Sequence, residues 1–250
     1  KMKYSILKKI LYKMTKKYWN LISLDHAKKN DFIVQNGVFK GLKINKDISW
    51  GKGDIASKIY GLYENNVQDI LKKINKPILI DIGSADGFFA VGCLHSGLSK
   101  FCYAFDQSLI SQKALLKTAQ INNVSKRLSI HGKVTSKNFI SSLPTELDFS
   151  RSVIICDIEG EEYNFLNNNI LSLCQKANFI IEIHKTNNVI DKTKLLKKLS
   201  KFFDVNVIID GNKNYDEIFQ LHDLKDIDRL LITCEGRSYI GEWWHLKPKK

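Results

Sequence analysis

Two short stretches concentrate chemistry in this 250-residue chain: Cys156-Asp157-Ile158-Glu159-Gly160 and Glu182-Ile183-His184. Each closes an apolar run, SVIIC in one case and NFII in the other. Alternation along a strand puts Glu182 and His184 on one face, and Asp157 and Glu159 fall just past the end of the other run. Three carboxylates and an imidazole admit three readings. In the first, Asp157, Glu182 and His184 hold a divalent cation such as Mg²⁺ or Mn²⁺, which would lower the pKa of a bound hydroxyl. In the second, His184 or Asp157, with Glu159 beside them, takes a proton directly. In the third, Glu159 and Glu161 serve the dipole of a helix N-terminus and His184 merely ends a strand.

A third stretch points to a cofactor. Pro77 to Phe89, PILIDIGSADGFF, reads as a buried strand, a glycine turn and a helix entry. Glycine lets the backbone come close to a ligand, and a helix N-terminus presents free N–H groups. The turn is neither G-x-G-x-x-G nor a P-loop. It holds Asp81, Gly83, Ser84 and Asp86 and no basic residue, so a pyrophosphate would meet repulsion. Asp106, followed by Gln107, ends the next apolar run, where a carboxylate can accept both ribose hydroxyls. An acidic pocket with a ribose carboxylate suits S-adenosylmethionine, with its sulfonium and ammonium charges, better than NAD.

These residues must be positioned by alternating strands and helices. Strands are expected at 78–82, 101–106, 128–131, 152–157, 178–184, 205–210 and 229–234, and helices at 54–74, 87–96, 109–121, 160–174 and 191–202. Near-continuous apolar runs alternating with helical segments mean an α/β, Rossmann-like, seven-stranded and mostly parallel sheet with helices on both faces. The last two strands lack a clear connecting helix, so the final one is expected to be antiparallel. Asn36-Gly37 predicts a two-residue hairpin turn within 32–44, and Asp54 is a candidate helix cap. The expected organisation is a basic amphipathic extension over 1–30, a hairpin-and-helix cap over 31–76, and the main domain over 77–250.

The pieces ILIDIGSADGFFAVG, YAFDQS, CDIEGEEYNFL and FIIEIH, in this order and spacing, resemble class I S-adenosylmethionine-dependent methyltransferases, and more narrowly the FkbM-type family. The resemblance covers residues 78–184. It implies that Asp81 and Gly83 line the methionine end of the cofactor, Asp106 its ribose, and His131-Gly132 its adenine side. It also implies that the strands ending at Asp157 and His184 are neighbours opening over the methyl donor. Ala85 departs from the pattern, since many class I members have glycine there. The implied reaction is O-methylation of a sugar, glycan or small metabolite. DIEG stands where enzymes that methylate exocyclic amines of bases usually carry Asn/Asp-Pro-Pro-aromatic. Asp157, Lys185 and Glu235 can be cast in three roles of the Lys-Asp-Lys-Glu set of RNA ribose 2′-O-methyltransferases. A non-catalytic scaffold of the same fold is a further alternative.

Charge placement bears on partners. Residues 1–22 hold seven lysines and no acid, and residues 247–250 hold three more lysines. Removing these ten charges from the net +13 leaves +3 for residues 23–246. A near-balanced body argues against a specific nucleic-acid partner. Residues 2–22 read as a basic amphipathic helix fit for packing on the body or, in self-association, on a partner subunit, for peripheral membrane contact or for nucleic-acid contact. No apolar run reaches membrane-spanning length, and residues 1–22 lack the uninterrupted apolar core of a signal peptide. The five cysteines are odd in number and unpaired in spacing, so reduced core thiols and a cytoplasmic location are expected. Near the C-terminus, Arg237, Trp243 and Trp244 suit either a sugar and anion contact or a plug on the sheet edge. Trp50 is a further candidate for the cleft.

Overall fold

In a computed structural model, residues 2–46, 52–185, 189–211, 213, 215, 216, 218–237 and 239–249 are described. Trp50 lies outside them. Seven strands form one sheet: β1 (Ile78–Ile82), β2 (Phe101–Phe105), β3 (Leu128–His131), β4 (Ser152–Cys156), β5 (Asn178–Glu182), β6 (Phe203–Ile209) and β7 (Glu242–Pro248). Their order is β3-β2-β1-β4-β5-β7-β6. β7 runs antiparallel to both neighbours, and the other six are parallel. The mostly parallel seven-stranded sheet is as the apolar runs require.

The strands alternate their side chains between two cores. Leu79, Val153, Ile155 and Trp243 join one cluster, while Ile80, Ile154, Ile181 and Trp244 join the other. Such continuous burial explains why the strand sequences show no polar alternation. Among the described residues the α-helices are α1 (Met2–Lys29), α2 (Ile55–Ile59), α3 (Asn65–Ile74), α4 (Phe88–His95), α5 (Leu109–Ile121), α6 (Glu162–Phe165), α7 (Asn168–Leu173), α8 (Val189–Leu199) and α9 (Asp226–Thr233), with four short 3-10 helices besides.

Several expectations are corrected. Residues 229–234 are not the final strand but lie largely in α9, whose first turn carries Asp226 and Asp228 at the favourable end of the dipole. The strand is instead built on Trp243, Trp244 and Leu246, which bring more apolar surface into the gap between β5 and β6. Neither tryptophan is open to a ligand, since they are 2% and 0% exposed. The helix expected over 54–74 breaks between α2 and α3, where Glu64 adopts a left-handed backbone. The helix over 160–174 also splits, because the Asn167 side chain caps a fresh start by accepting from Ile170 N–H. The Asn36-Gly37 hairpin reduces to a bridge between Ile33 and Lys43 around a wider loop. Phe39 in that loop is drawn into the core against Phe88 and Phe89.

Helix α1 runs past the expected residue 22 to Lys29. Its C-terminal third is anchored. A Cβ on Gly53 or on Gly236 would fall 2.4 or 2.2 Å from the Trp19 ring, so two glycines make room for that indole. His26 Nδ1 and Tyr60 Oη lie 2.6 Å apart. Asp54 stands at the start of α2 without a side-chain cap bond and pairs instead with Lys58 at 3.5 Å.

Candidate active site

The carboxyl ends of β1, β2 and β4 open on a cleft of about 200 Å³. Gly83, Ala85, Asp106, Gln107, Lys133, Val134, Asp157 and Glu159 are among its lining residues. Gly83 has φ +87°, and a Cβ there would sit 1.7 Å from the Asp157 carbonyl oxygen. Glycine is therefore what lets the loop after β1 touch the loop after β4. Ala85 has φ +45°. Its left-handed backbone explains why glycine would be at ease at this position.

Asp106 is held by backbone donors: Ala85 N–H donates to one oxygen at 2.9 Å and Ser108 N–H to the other at 2.7 Å. Each oxygen keeps a lone pair for a hydroxyl in the cleft. Four of the lining residues are acids (Asp106, Asp157, Glu159 and Glu161), against one lysine, Lys133. This lining fits a cationic, ribose-bearing ligand. Asp81 is buried beneath it, 2% exposed, with one oxygen lacking a hydrogen-bond partner. Burial first, then the neighbouring Asp157 charge, pushes its pKa up to about 7.

The remaining cofactor candidates lie off the cleft wall. Ser84 is buried, with its hydroxyl 3.3 Å from the Phe105 carbonyl. Asp86 pairs with Lys58 at 3.5 Å, a cation from α2 that supplies the base the turn itself lacks. His131 stacks on Phe105 with centroids 4.8 Å apart, and the chain reaches the cleft only beyond Gly132, at Lys133 and Val134.

On the other wall, Asp157 and Glu159 line the cleft, and the ends of β4 and β5 bring them together with Glu182 and His184, which are not among the lining residues. His184 Nε2 lies 3.3 Å from Glu159, 3.7 Å from Asp157 and 4.0 Å from Glu182. One ligand atom from each of Asp157, Glu182 and His184 falls within 4.8 Å of the others. Burial raises both the Asp157 and the Glu182 carboxyls, and their nearest ligand atoms lie within 4.8 Å, so the pair retains a proton more readily than two solvated acids would. Arg237 reaches across to ion-pair with Glu182, Glu64 and Glu235. Its guanidinium is thereby spent on the protein, and the anion-holding role open to it in the sequence is corrected.

Glu162 is the site residue that motif reading missed. It is fully buried, and its Oε1 accepts N–H bonds from Ile158 at 3.0 Å and Gly160 at 3.2 Å. These bonds clamp a loop in which Glu159 has φ +55° and Gly160 +102°. The same oxygen lies 3.0 Å from His184 Nδ1. An oxygen that already accepts two N–H bonds acts as an acceptor, so Nδ1 carries the proton and the neutral ring presents a lone pair on Nε2. Burial pulls the His184 pKa down, but the bond to Glu162 and the charges of Glu162, Asp157 and Glu159 outweigh it, and the net shift is upward. The available signal was an acid two residues past Gly160, placed to reach back to preceding N–H groups.

No family model matches the chain, and no curated protein matches it. Solved structures do. The METTL16 MTase domain (crystal form 2) is similar at 13% identity and TM-score 0.50, covering 76% of this chain and 68% of that one. The delta-N METTL16 MTase domain gives 14% and 0.50, over 74% and 81%. Cofactor-bound Rv0187 from MTB gives 9% and 0.49, over 91% and 88%. At these identities the two likenesses at TM-score 0.50 show a shared fold alone.

Proposed function

We propose that the cleft binds S-adenosylmethionine and that the protein is a methyltransferase acting on a hydroxyl of a sugar, glycan or small metabolite. The observation that carries this reading is one cleft wall holding a backbone-anchored Asp106 and another lined by Asp157 and Glu159, which stand 3.7 and 3.3 Å from an oriented imidazole. Asp106 would take the ribose hydroxyls, Gly83 the close backbone approach, and the acid lining the cationic methionine end. The cofactor would supply a methyl group on a sulfonium. The chain's own work is to hold the acceptor hydroxyl near Asp157 and to receive its proton at His184 Nε2, with Glu162 stabilising the imidazolium that results. The near-balanced charge of the body and the DIEG loop favour a small hydroxyl acceptor over a nucleic-acid base.

A second reading keeps the same cofactor and adds a divalent cation. The clustering of Asp157, Glu182 and His184 within 4.8 Å favours it. The Arg237–Glu182 ion pair competes with it.

Calorimetry with S-adenosylmethionine, followed by methyl-transfer assays on nucleotide sugars, hydroxylated metabolites and RNA, tests both readings. Binding is expected, and Asp106→Ala should weaken it about tenfold to a hundredfold through loss of charge-assisted hydrogen bonds. Absence of binding would overturn the cofactor assignment. Methylation of RNA alone would overturn the acceptor class. Activity abolished by a chelator and restored by Mg²⁺ or Mn²⁺ would select the cation reading.

A further inference from the structure

We infer that the N-terminal part of helix α1 is an interfacial helix that docks the protein on an anionic lipid surface. From Trp19 onward the helix is seated on the body, but residues 6–18 are exposed throughout. Within that segment Ile6, Leu7, Ile10, Leu11, Met14 and Tyr18 are each 47–63% exposed. Their spacing places them on one contiguous face. Lys8, Lys9, Lys13 and Lys16 fall outside that face with Tyr12 among them, Lys17 falls at its edge between Ile6 and Ile10, and the first acid in the chain is Asp25. An apolar face of this width, backed by lysines without acids, has the form of a helix lying in the plane of a membrane surface.

The apolar surface continues onto the body. Tyr18 Oη donates to Asp228 of α9 at 2.7 Å, and Ile227 and Leu230 of that helix are 62% and 66% exposed. No described helix is long and apolar enough to cross a membrane. A second copy of the chain is a poorer occupant of this face. Pairing two such helices would gather lysines with no acid in residues 1–22 to meet them, whereas an anionic leaflet supplies the missing charge and takes up the apolar face together. RNA would use the lysines and leave the apolar face in water.

Co-sedimentation of the full chain with phosphatidylcholine vesicles, with and without phosphatidylglycerol, tests this. Binding to the anionic vesicles is expected to exceed binding to neutral ones by on the order of tenfold or more, and to weaken in high salt. Leu7→Glu combined with Leu11→Glu should abolish binding. Both side chains are more than half exposed, so the thermal midpoint should not move. Lys8→Gln, Lys9→Gln and Lys13→Gln together leave the apolar face intact and should remove most of the preference for anionic lipid. Equal binding to neutral vesicles, or binding unaffected by the glutamates, would overturn the inference. So would a dimer in light scattering that the glutamates dissociate, or salt-sensitive RNA binding, if no vesicle binding accompanies it. Vesicle binding is independent of what the cleft does, so calorimetry with the cofactor and co-sedimentation fail separately.

Discussion

Two buried charge clusters lie in this protein, and they are balanced in opposite ways. In the first, Asp54 and Asp86 both sit 3.5 Å from Lys58, and the aromatic rings of Tyr63 and Phe88 lie 4.8 and 5.7 Å from the same ammonium. Burial pulls the Lys58 pKa down, but the two carboxylates outweigh it and raise it overall, so the lysine stays charged. In the second, Asp157, Glu159, Glu162 and Glu182 surround His184, and Arg237 offsets only part of the excess from outside. In the first cluster the lysine keeps its charge and ties α2 to the turn after β1. The second surrounds a titratable imidazole with four carboxylates, and Asp157 is pushed up to about 6 and His184 above its ordinary value, so protons occupy and leave it near neutral pH. Groups of that kind, set beside a cleft, are candidates for chemistry, while a paired lysine is a strut.

The largest effects should separate the two. His184→Gln removes the proton acceptor and is expected to lower the methyl-transfer rate about 10²–10⁴-fold. Cofactor affinity, measured by calorimetry, should hold. Retention of most of the activity would return His184 to the role of a strand end. Lys58→Met acts on the strut. It leaves two carboxylates facing each other with no cation, at a cost of about 3–5 kcal/mol in urea unfolding. Protonation of the stranded acids relieves that cost, so the variant should be closest to wild type at acid pH and furthest from it above neutrality. A loss of the same size at every pH would mean that the lysine matters for packing over Tyr63 and Phe88 rather than for charge.

The same contrast marks what the sequence could and could not reveal. Strands β1, β2, β4 and β5 are legible because a strand buried on both faces must be an apolar run, and the glycine turn and the DIEG loop follow directly from such runs. The C-terminal region was misread for a physical reason: RLLITC and EWWHL are both short apolar runs, and periodicity cannot tell a strand from a packed helix at that length. The partners of the acids were hidden for another. Lys58 meets Asp86, and Arg237 meets Glu64 and Glu182, only because the chain folds back on itself. Local spacing therefore identified the carboxylates but not which of them are neutralised. It made Asp86 look like a cofactor acid, when its charge faces a lysine.

The finest test of the contrast is Glu162→Gln. Glutamine keeps the shape and an acceptor oxygen, so the bonds from Ile158 and Gly160 N–H and the contact with His184 Nδ1 can persist. Only the charge is lost. A neutral imidazole is the active base, so the rate rises as pH climbs through the His184 pKa. Because Glu162 is a main cause of the upward pull on that pKa, the rising limb of the wild-type profile should lie above the ordinary histidine value of 6.5. Glu162→Gln should move the limb to lower pH and reduce the plateau by about tenfold, since a less basic ring accepts a proton less readily. Glutamate here would then be a positioning residue that also sets basicity. A uniform fall in rate with an unmoved limb would instead confine Glu162 to clamping the loop, and would shift the tuning of His184 to Asp157 and Glu159 on the cleft wall.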